Sequence, residues 1–157
     1  MRVSRTTLTY NRYMRTFSLE EAQWHLPILQ GLLKTAMEGK QIIEDVEDEI
    51  SDVGQDIMLS GGMLPDIVHL ARRRAERDKA VQRTKDALAE IEAMGVQVKD
   101  LDMGLLDFPC KVDEEIVLLC WKVGEDKITH WHSMEEGFRG RKPIDDTIRR
   151  GTKNAAN

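Results

Sequence analysis

Within fourteen positions, Leu119 to His132, the chain places a cysteine, two tryptophans, two histidines and an acidic turn, LCWKVGEDKITHWH. Three kinds of chemistry use such residues. A thiol within hydrogen-bond reach of an imidazole makes a nucleophile pair. Two imidazoles at i and i+2 on one strand face, His130 and His132, can both reach a divalent metal such as zinc, with Asp107, Glu135 or Glu136 completing the shell. An arginine fork such as Arg141, in the glycine-flanked loop GFRGRKP, can grip a carboxylate or phosphate, or pair with Asp107 or Glu125 of its own chain.

Strand geometry discriminates among these. With Gly124–Lys127 as the connecting loop, Val123 pairs with Ile128, Trp121 with His130, Cys120 with Trp131 and Leu119 with His132. Successive side chains alternate between faces, so Leu119, Trp121, His130 and His132 share one face while Cys120 and Trp131 share the other. That parity separates Cys120 from the histidines and disfavours a Cys–His nucleophile. The expected metal set is then His130, His132 and Asp107, and the expected ligand-gripping set is Asp107, Trp121, Glu125 and Arg141. The structural alternative has His132 capping the sheet on a carboxylate and Arg141 satisfied by a neighbouring acid. Cys110, after Pro109, reads as a small packed residue, and Met58, Met63 and Met94 as gap fillers near helix ends.

The composition limits what such a site could serve. The 157 residues suit one domain, and 32% charged against 5% aromatic suits a helix-rich soluble protein. No apolar run approaches the roughly 18 residues of a membrane span. Two cysteines are too few for a disulfide framework and fit a reducing compartment, so a cytoplasmic location is expected. The net charge of −5 divides into +4 on residues 1–16, +4 on residues 139–157 and −13 on the body between them. A body that acidic is a poor general nucleic-acid binder, since such binding draws on phosphate attraction, and only the basic tails could serve that purpose. The FRGRK run lacks the aromatic platform of RNA-recognition modules.

The elements that must position the site begin at FSLEEA. Ser18 with Glu21 is a capping box, and Phe17 with Ala22 can staple it. Pro27 predicts a short helix to about His25, then a kink or restart. Beyond it, Leu29, Leu33, Ala36, Ile43, Val46, Ile50, Val53 and Ile57 form one stripe of a long helix. Ser60–Asp66 is a turn, and a second helix runs to about Met94, stopped by Gly95, with Ile67, Leu70, Val81, Thr84, Leu88 and Ile91 as its stripe. The two fold back antiparallel, setting acidic Glu44–Asp52 against basic Ala71–Lys79. Such flanking pairs contribute a few tenths of a kcal/mol each; the competing reading makes Arg72, Arg73 and Arg74 an anion-binding patch. Leu105–Phe108, Ile116–Val123 and Ile128–His132 then read as three strands. The fold class is α+β, a long antiparallel helical hairpin followed by a small three-stranded antiparallel β-meander. Residues 16–144 form this domain. Residues 1–15, Arg-rich and without a signal-peptide core, read as a disordered extension upstream of an alternative start at Met14, and residues 145–157 as a polar flexible tail.

The ordered series FSLEEAQWHLPIL (Phe17–Leu29), LDFP (Leu106–Pro109), LCWKVGEDKI (Leu119–Ile128), WH (Trp131, His132) and GFRGRKPI (Gly137–Ile144) resembles a bacterial family known as domain of unknown function 2203, over about Met14 to Ile144. The resemblance implies a helical hairpin with a small β region, and no activity. Its pattern falls on Asp107, Pro109, Cys120, Trp121, Glu125, Trp131, His132, Gly137, Phe138, Arg141 and Pro143, and leaves His130 out. Two functions are expected. The first is a non-enzymatic interaction or assembly protein whose exposed hairpin stripe recruits another helix, in a homo-oligomer or a larger complex, with no cofactor. The second is a small divalent-metal or anion site on the meander.

Overall fold

The computed structural model of the chain describes residues 15–62 and 64–155. Residues 1–14, Met63 and the last two positions, and with them most of the expected extension, lie outside that description. Arg15 is docked: its guanidinium donates to the Met94 carbonyl (3.0 Å) and lies 4.5 Å from the Phe17 ring centroid.

The capping box at Ser18 starts helix α1, Leu19–Ser60, with Ser18 Oγ accepting from the Glu21 amide at 3.1 Å. Just before it the Phe17 amide donates to the Pro109 carbonyl (2.7 Å), and the Phe17 ring meets Phe108 edge-on, so the helix entry is fixed to the sheet. The break expected near His25 does not occur; Pro27 lies inside one 42-residue helix. Proline there removes a single hydrogen bond, and Pro27 is on the exposed side while Ala22, Leu26, Leu29 and Leu33 stay buried through it. Gly61, at φ 74°, ends α1 in the left-handed conformation, and Asp66 caps helix α2, Ile67–Ala93, by accepting from the His69 amide at 3.0 Å.

The helices approach most closely where side chains are smallest. Gly39 is buried, and a Cβ built on it would lie 2.1 Å from Thr84 Oγ1 and 3.2 Å from the Ala80 carbonyl. The α2 seam is accordingly Ala80, Thr84, Ala87 and Ile91; Ile67, expected in that stripe, is exposed instead. Across the hairpin the expected charge pairing is present at Glu49, which accepts from Arg73 Nε at 2.7 Å and from His69.

Past Gly95 (φ 86°) the chain forms five antiparallel strands in the order β1-β2-β3-β4-β5: β1 Gln97–Asp100, β2 Leu105–Val112, β3 Glu115–Lys122, β4 His130–Ser133 and β5 Lys142–Pro143. The expected three-strand meander is thus its centre. β1 alternates no apolar residues, and β5 is two residues with a proline at the sheet edge, so neither carries a strand pattern. Leu106, Phe108, Cys110, Val112, Val117, Leu119 and Trp121 face the helices and join Ala22, Leu26, Leu29, Leu33 and Ile91 in one core. The expected polar tail after Asp145 contains helix α3, Asp146–Ala155, capped by Asp145. Its Ile148 enters the core, and Gly151 lies so close to Val112 that a Cβ would meet Cγ1 at 2.5 Å. Among the described residues no helix is long and apolar enough to cross a membrane.

Because Gly39 has no room and Gly31 has nothing within 4 Å of its would-be Cβ, the two glycines make a matched test. Gly39→Ala should destabilise by about 1–3 kcal/mol through overpacking, whereas Gly31→Ala should stabilise by roughly 0.5–1 kcal/mol through helix propensity. Urea unfolding of both variants checks the sign reversal.

Candidate metal centre

The sheet face turned away from the hairpin is also buried, and it carries polar groups. Leu105, Asp107, Leu118, Cys120 and His132 are all at most 5% exposed. Asp107 on β2 lies directly opposite Cys120 on β3, and His132 on β4 lies opposite Leu118, one diagonal from Cys120. A carboxylate oxygen of Asp107, the Cys120 sulfur and a ring nitrogen of His132 all fall within 4.8 Å of one another.

This arrangement depends on a register one residue away from the expected one. Cys120 pairs with His130, Leu119 with Trp131 and Leu118 with His132. The expected hairpin closed Val123 onto Ile128, but the Val123 amide donates to the Gly104 carbonyl (2.9 Å) and the Ile128 amide to Gln23 Oε1 on α1 (2.9 Å). Ile128 is in the core and Trp131 packs against it, and residues three apart cannot share a face of one regular strand. The strand therefore starts only at His130, after Ile128. A one-residue shift moves every side chain to the other face, which brings Cys120 to His132 and removes the parity objection.

Local bonds define the imidazole's state. His132 Nδ1 is 2.8 Å from the Ser133 carbonyl, an acceptor only, so Nδ1–H donates there. Nε2 then faces both Asp107 oxygens at 3.1 and 3.2 Å, able to share a proton with the carboxylate or to ligate a cation beside it. The Cys120 thiol is pushed up to about 12, first by burial and then by the Asp107 charge, so it is no ready nucleophile. Cys110 on the helix side is likewise raised to about 12 by burial.

The other expected residues separate from this cluster. His130 is half-buried opposite Cys120, with Nδ1 2.8 Å from Thr129 Oγ1, and is not among the three converging groups. Arg141 is paired within its own chain through one nitrogen: Nη2 donates to both Glu125 oxygens (2.7 and 2.8 Å) and to the Cys120 carbonyl (3.2 Å), its guanidinium sits 5.0 Å from the Phe138 ring centroid, and its buried Nε has no hydrogen-bond partner among the described residues. Glu125 also accepts from the Lys122 amide through Oε2 and from the Trp121 indole through its carbonyl, both at 2.9 Å. Trp121 faces the helical core, so Asp107, Trp121, Glu125 and Arg141 do not form one ligand set. Glu136 hydrogen-bonds Ser133 and pairs with Lys142; Lys142 first, then Ser133, hold its carboxyl below the usual range.

A cleft of about 630 Å³ opens over Asp107, Cys120 and His132, walled by Lys99, Met103, Met134, Phe138 and Arg139. A groove of similar size between α1, the β3–β4 loop and the end of β5 is lined by Trp24, Ile128, Pro143 and Ile144; among the described residues the only cluster with ligating donors is the first. The family model described as an uncharacterized conserved protein, DUF2203, matches residues 15–144, and the chain belongs to that family. Neither the curated proteins nor the solved structures contain a match. Helix α3 lies beyond the matched span.

Burial of both thiols predicts that the native protein, in the presence of a chelator, leaves Cys110 and Cys120 unlabelled by a thiol reagent at pH 8, and that both label on denaturation. Mass spectrometry of the labelled protein checks this; rapid native labelling of Cys120 would contradict its enclosed position.

Proposed function

We propose that this member of the DUF2203 family binds a divalent metal of the zinc class through Asp107, Cys120 and His132, and presents the ion's remaining position to the cleft above them. The observation carrying the reading is the convergence of one oxygen, one sulfur and one nitrogen donor from three adjacent strands. Zinc is the ion that takes such a mixed set, at about 2.0–2.3 Å per ligand, so tetrahedral ligand atoms lie roughly 3.3–3.8 Å apart. Asp107 and His132 are at 3.1 Å, and the Cys120 sulfur, within 4.8 Å of both, would close toward that spacing on binding.

The second observation is the Nδ1–H bond from His132 to the Ser133 carbonyl. Ligating histidines commonly donate their other N–H in this way, which fixes the tautomer that leaves Nε2 as ligand. Arg141 gives further support from outside the ligand set, because its bond to the Cys120 carbonyl holds the strand that carries the sulfur. Three protein ligands leave a fourth position for water or a small ligand, and water held there by zinc is acidified toward neutral pKa, the property zinc hydrolases use. Without an ion, Asp107 and His132 form a buried acid–imidazole pair, and the two states differ in a measurable content.

Metal analysis of the untagged full chain should give close to one zinc per chain. Cys120→Ser and His132→Ala should lose the metal while keeping the helical circular dichroism, and His130→Ala should retain it. Zinc at a hundredfold excess over its Kd should raise the unfolding free energy by about 2.7 kcal/mol. Wild-type protein that takes up neither zinc nor cobalt, or metal lost in His130→Ala, overturns the assignment.

A further inference from the structure

The hairpin runs on past the sheet. Between Val46 and the tip, α1 holds no fully buried residue, and neither does α2 before Ala80. Ile50, Val53 and Ile57 on α1 and Leu70 on α2 are only half-buried. At the tip Met58, Leu59, Leu64, Ile67 and Val68 are 64–89% exposed, all within eleven positions spanning the two helix ends and their connection. Exposed apolar residues are ordinary singly but mark an interaction surface when contiguous.

The charges on this segment indicate what covers it. From Glu44 to Asp56, α1 carries seven acids and no base. From Arg72 to Lys79, α2 carries five bases and two acids. Glu49 is paired across the hairpin with Arg73 and His69, whereas Glu47, Asp48 and Asp52 on one helix and Arg72, Arg74 and Lys79 on the other are exposed and, among the described residues, pair with nothing in their own chain. A surface with an acidic helix beside a basic one is its own complement under a two-fold axis. Placing α1 of one copy against α2 of the other matches opposite signs twice, and placing α1 on α1 would set seven acids against seven.

We infer that a second copy of this chain covers the distal hairpin, the two hairpins overlapping antiparallel as a four-helix bundle with α1 of each against α2 of the other and the tip residues inside the contact. The arrangement is independent of the metal centre, which lies on the sheet. It follows the packing rules of helical bundles, in which two-helix stripes are completed by a second pair.

The test is light scattering and sedimentation of the full chain over a concentration series. The wild-type chain is expected to be a dimer that weakens as salt is raised. Leu59→Lys/Leu64→Lys should be monomeric with unchanged helical circular dichroism. Arg72→Glu/Arg74→Glu and Asp48→Lys/Asp52→Lys should each weaken self-association by roughly tenfold or more. Mixed together they should form a heterodimer, because one α1–α2 contact then keeps its native charges and in the other the substituted positions carry opposite signs. A wild-type chain that stays monomeric throughout the series overturns the inference. So does a dimer that survives Leu59→Lys/Leu64→Lys, or a mixture of the two charge variants that fails to associate.

Discussion

The backbone pairing of Cys120 with His130 governs the whole far side of the sheet. It is held from both ends. On the helix side the Ile128 amide is taken by Gln23 and the Ile128 side chain by the core, so the chain reaches β4 only at His130. On the loop side Glu125 caps the Lys122 amide, receives the Trp121 indole on its carbonyl and accepts on both carboxylate oxygens from Arg141 Nη2, which also donates to the Cys120 carbonyl. Slip β4 by one residue and His132 would turn into the helical core while Trp131 entered the cleft. The arginine network thus acts on the site through backbone position, and touches none of the three donor atoms.

Placing Asp107, Cys120 and His132 at 1–2% exposure is costly for folding. A buried carboxylate must be paired, and replacing a buried ion pair by well-packed apolar residues is often neutral or stabilising. The surrounding strand positions, Leu105, Pro109 and Leu118, are apolar and would accept such a replacement sterically. A polar trio set among them, open on one side to a cleft, is thus a net cost to the fold, and that cost is what the proposed metal binding would offset. The same low-polarity setting strengthens any charge interaction formed there.

What was legible in the sequence was local. The Ser18–Glu21 box, the Gly61 and Gly95 stops and the apolar stripes of two long helices are encoded within a few residues of where they act. Pro27 was misleading because its effect depends on which side of the helix it occupies, and that is decided by packing against a sheet some eighty residues away. The register of β4 was misleading for the same reason: Gly124–Lys127 resembles a tight hairpin loop, yet Gly104 and Gln23 claim the two amides that would have closed it. One signal was available. Ile128 and Trp131, both large and apolar and three apart, cannot both face a core from one continuous strand, so the strand had to begin between them. Helix α3 offered less, since only Ile148 and small residues such as Gly151 mark its inner side.

The two ends of the hairpin obey different accounting of entropy and burial. Near the sheet, α1 is a shared element: Ala22 through Val46 meet either strands or the close seam at Gly39 and Thr84, and ordering them is offset by complete burial. Beyond Val46 the helices have only each other. Fixing a residue's backbone costs about 1–2 kcal/mol, and helix propensity with a few exposed ion pairs recovers a few tenths per site. A two-helix ribbon of that kind is marginal in water unless its stripes are completed, and none of its described residues from 47 to 79 is fully buried within the chain. The exposed apolar tip and the opposed charges are thus parts of one requirement, that the covering surface offer apolar contact to the tip and carry both signs in the right order. A second hairpin of the same sequence satisfies both.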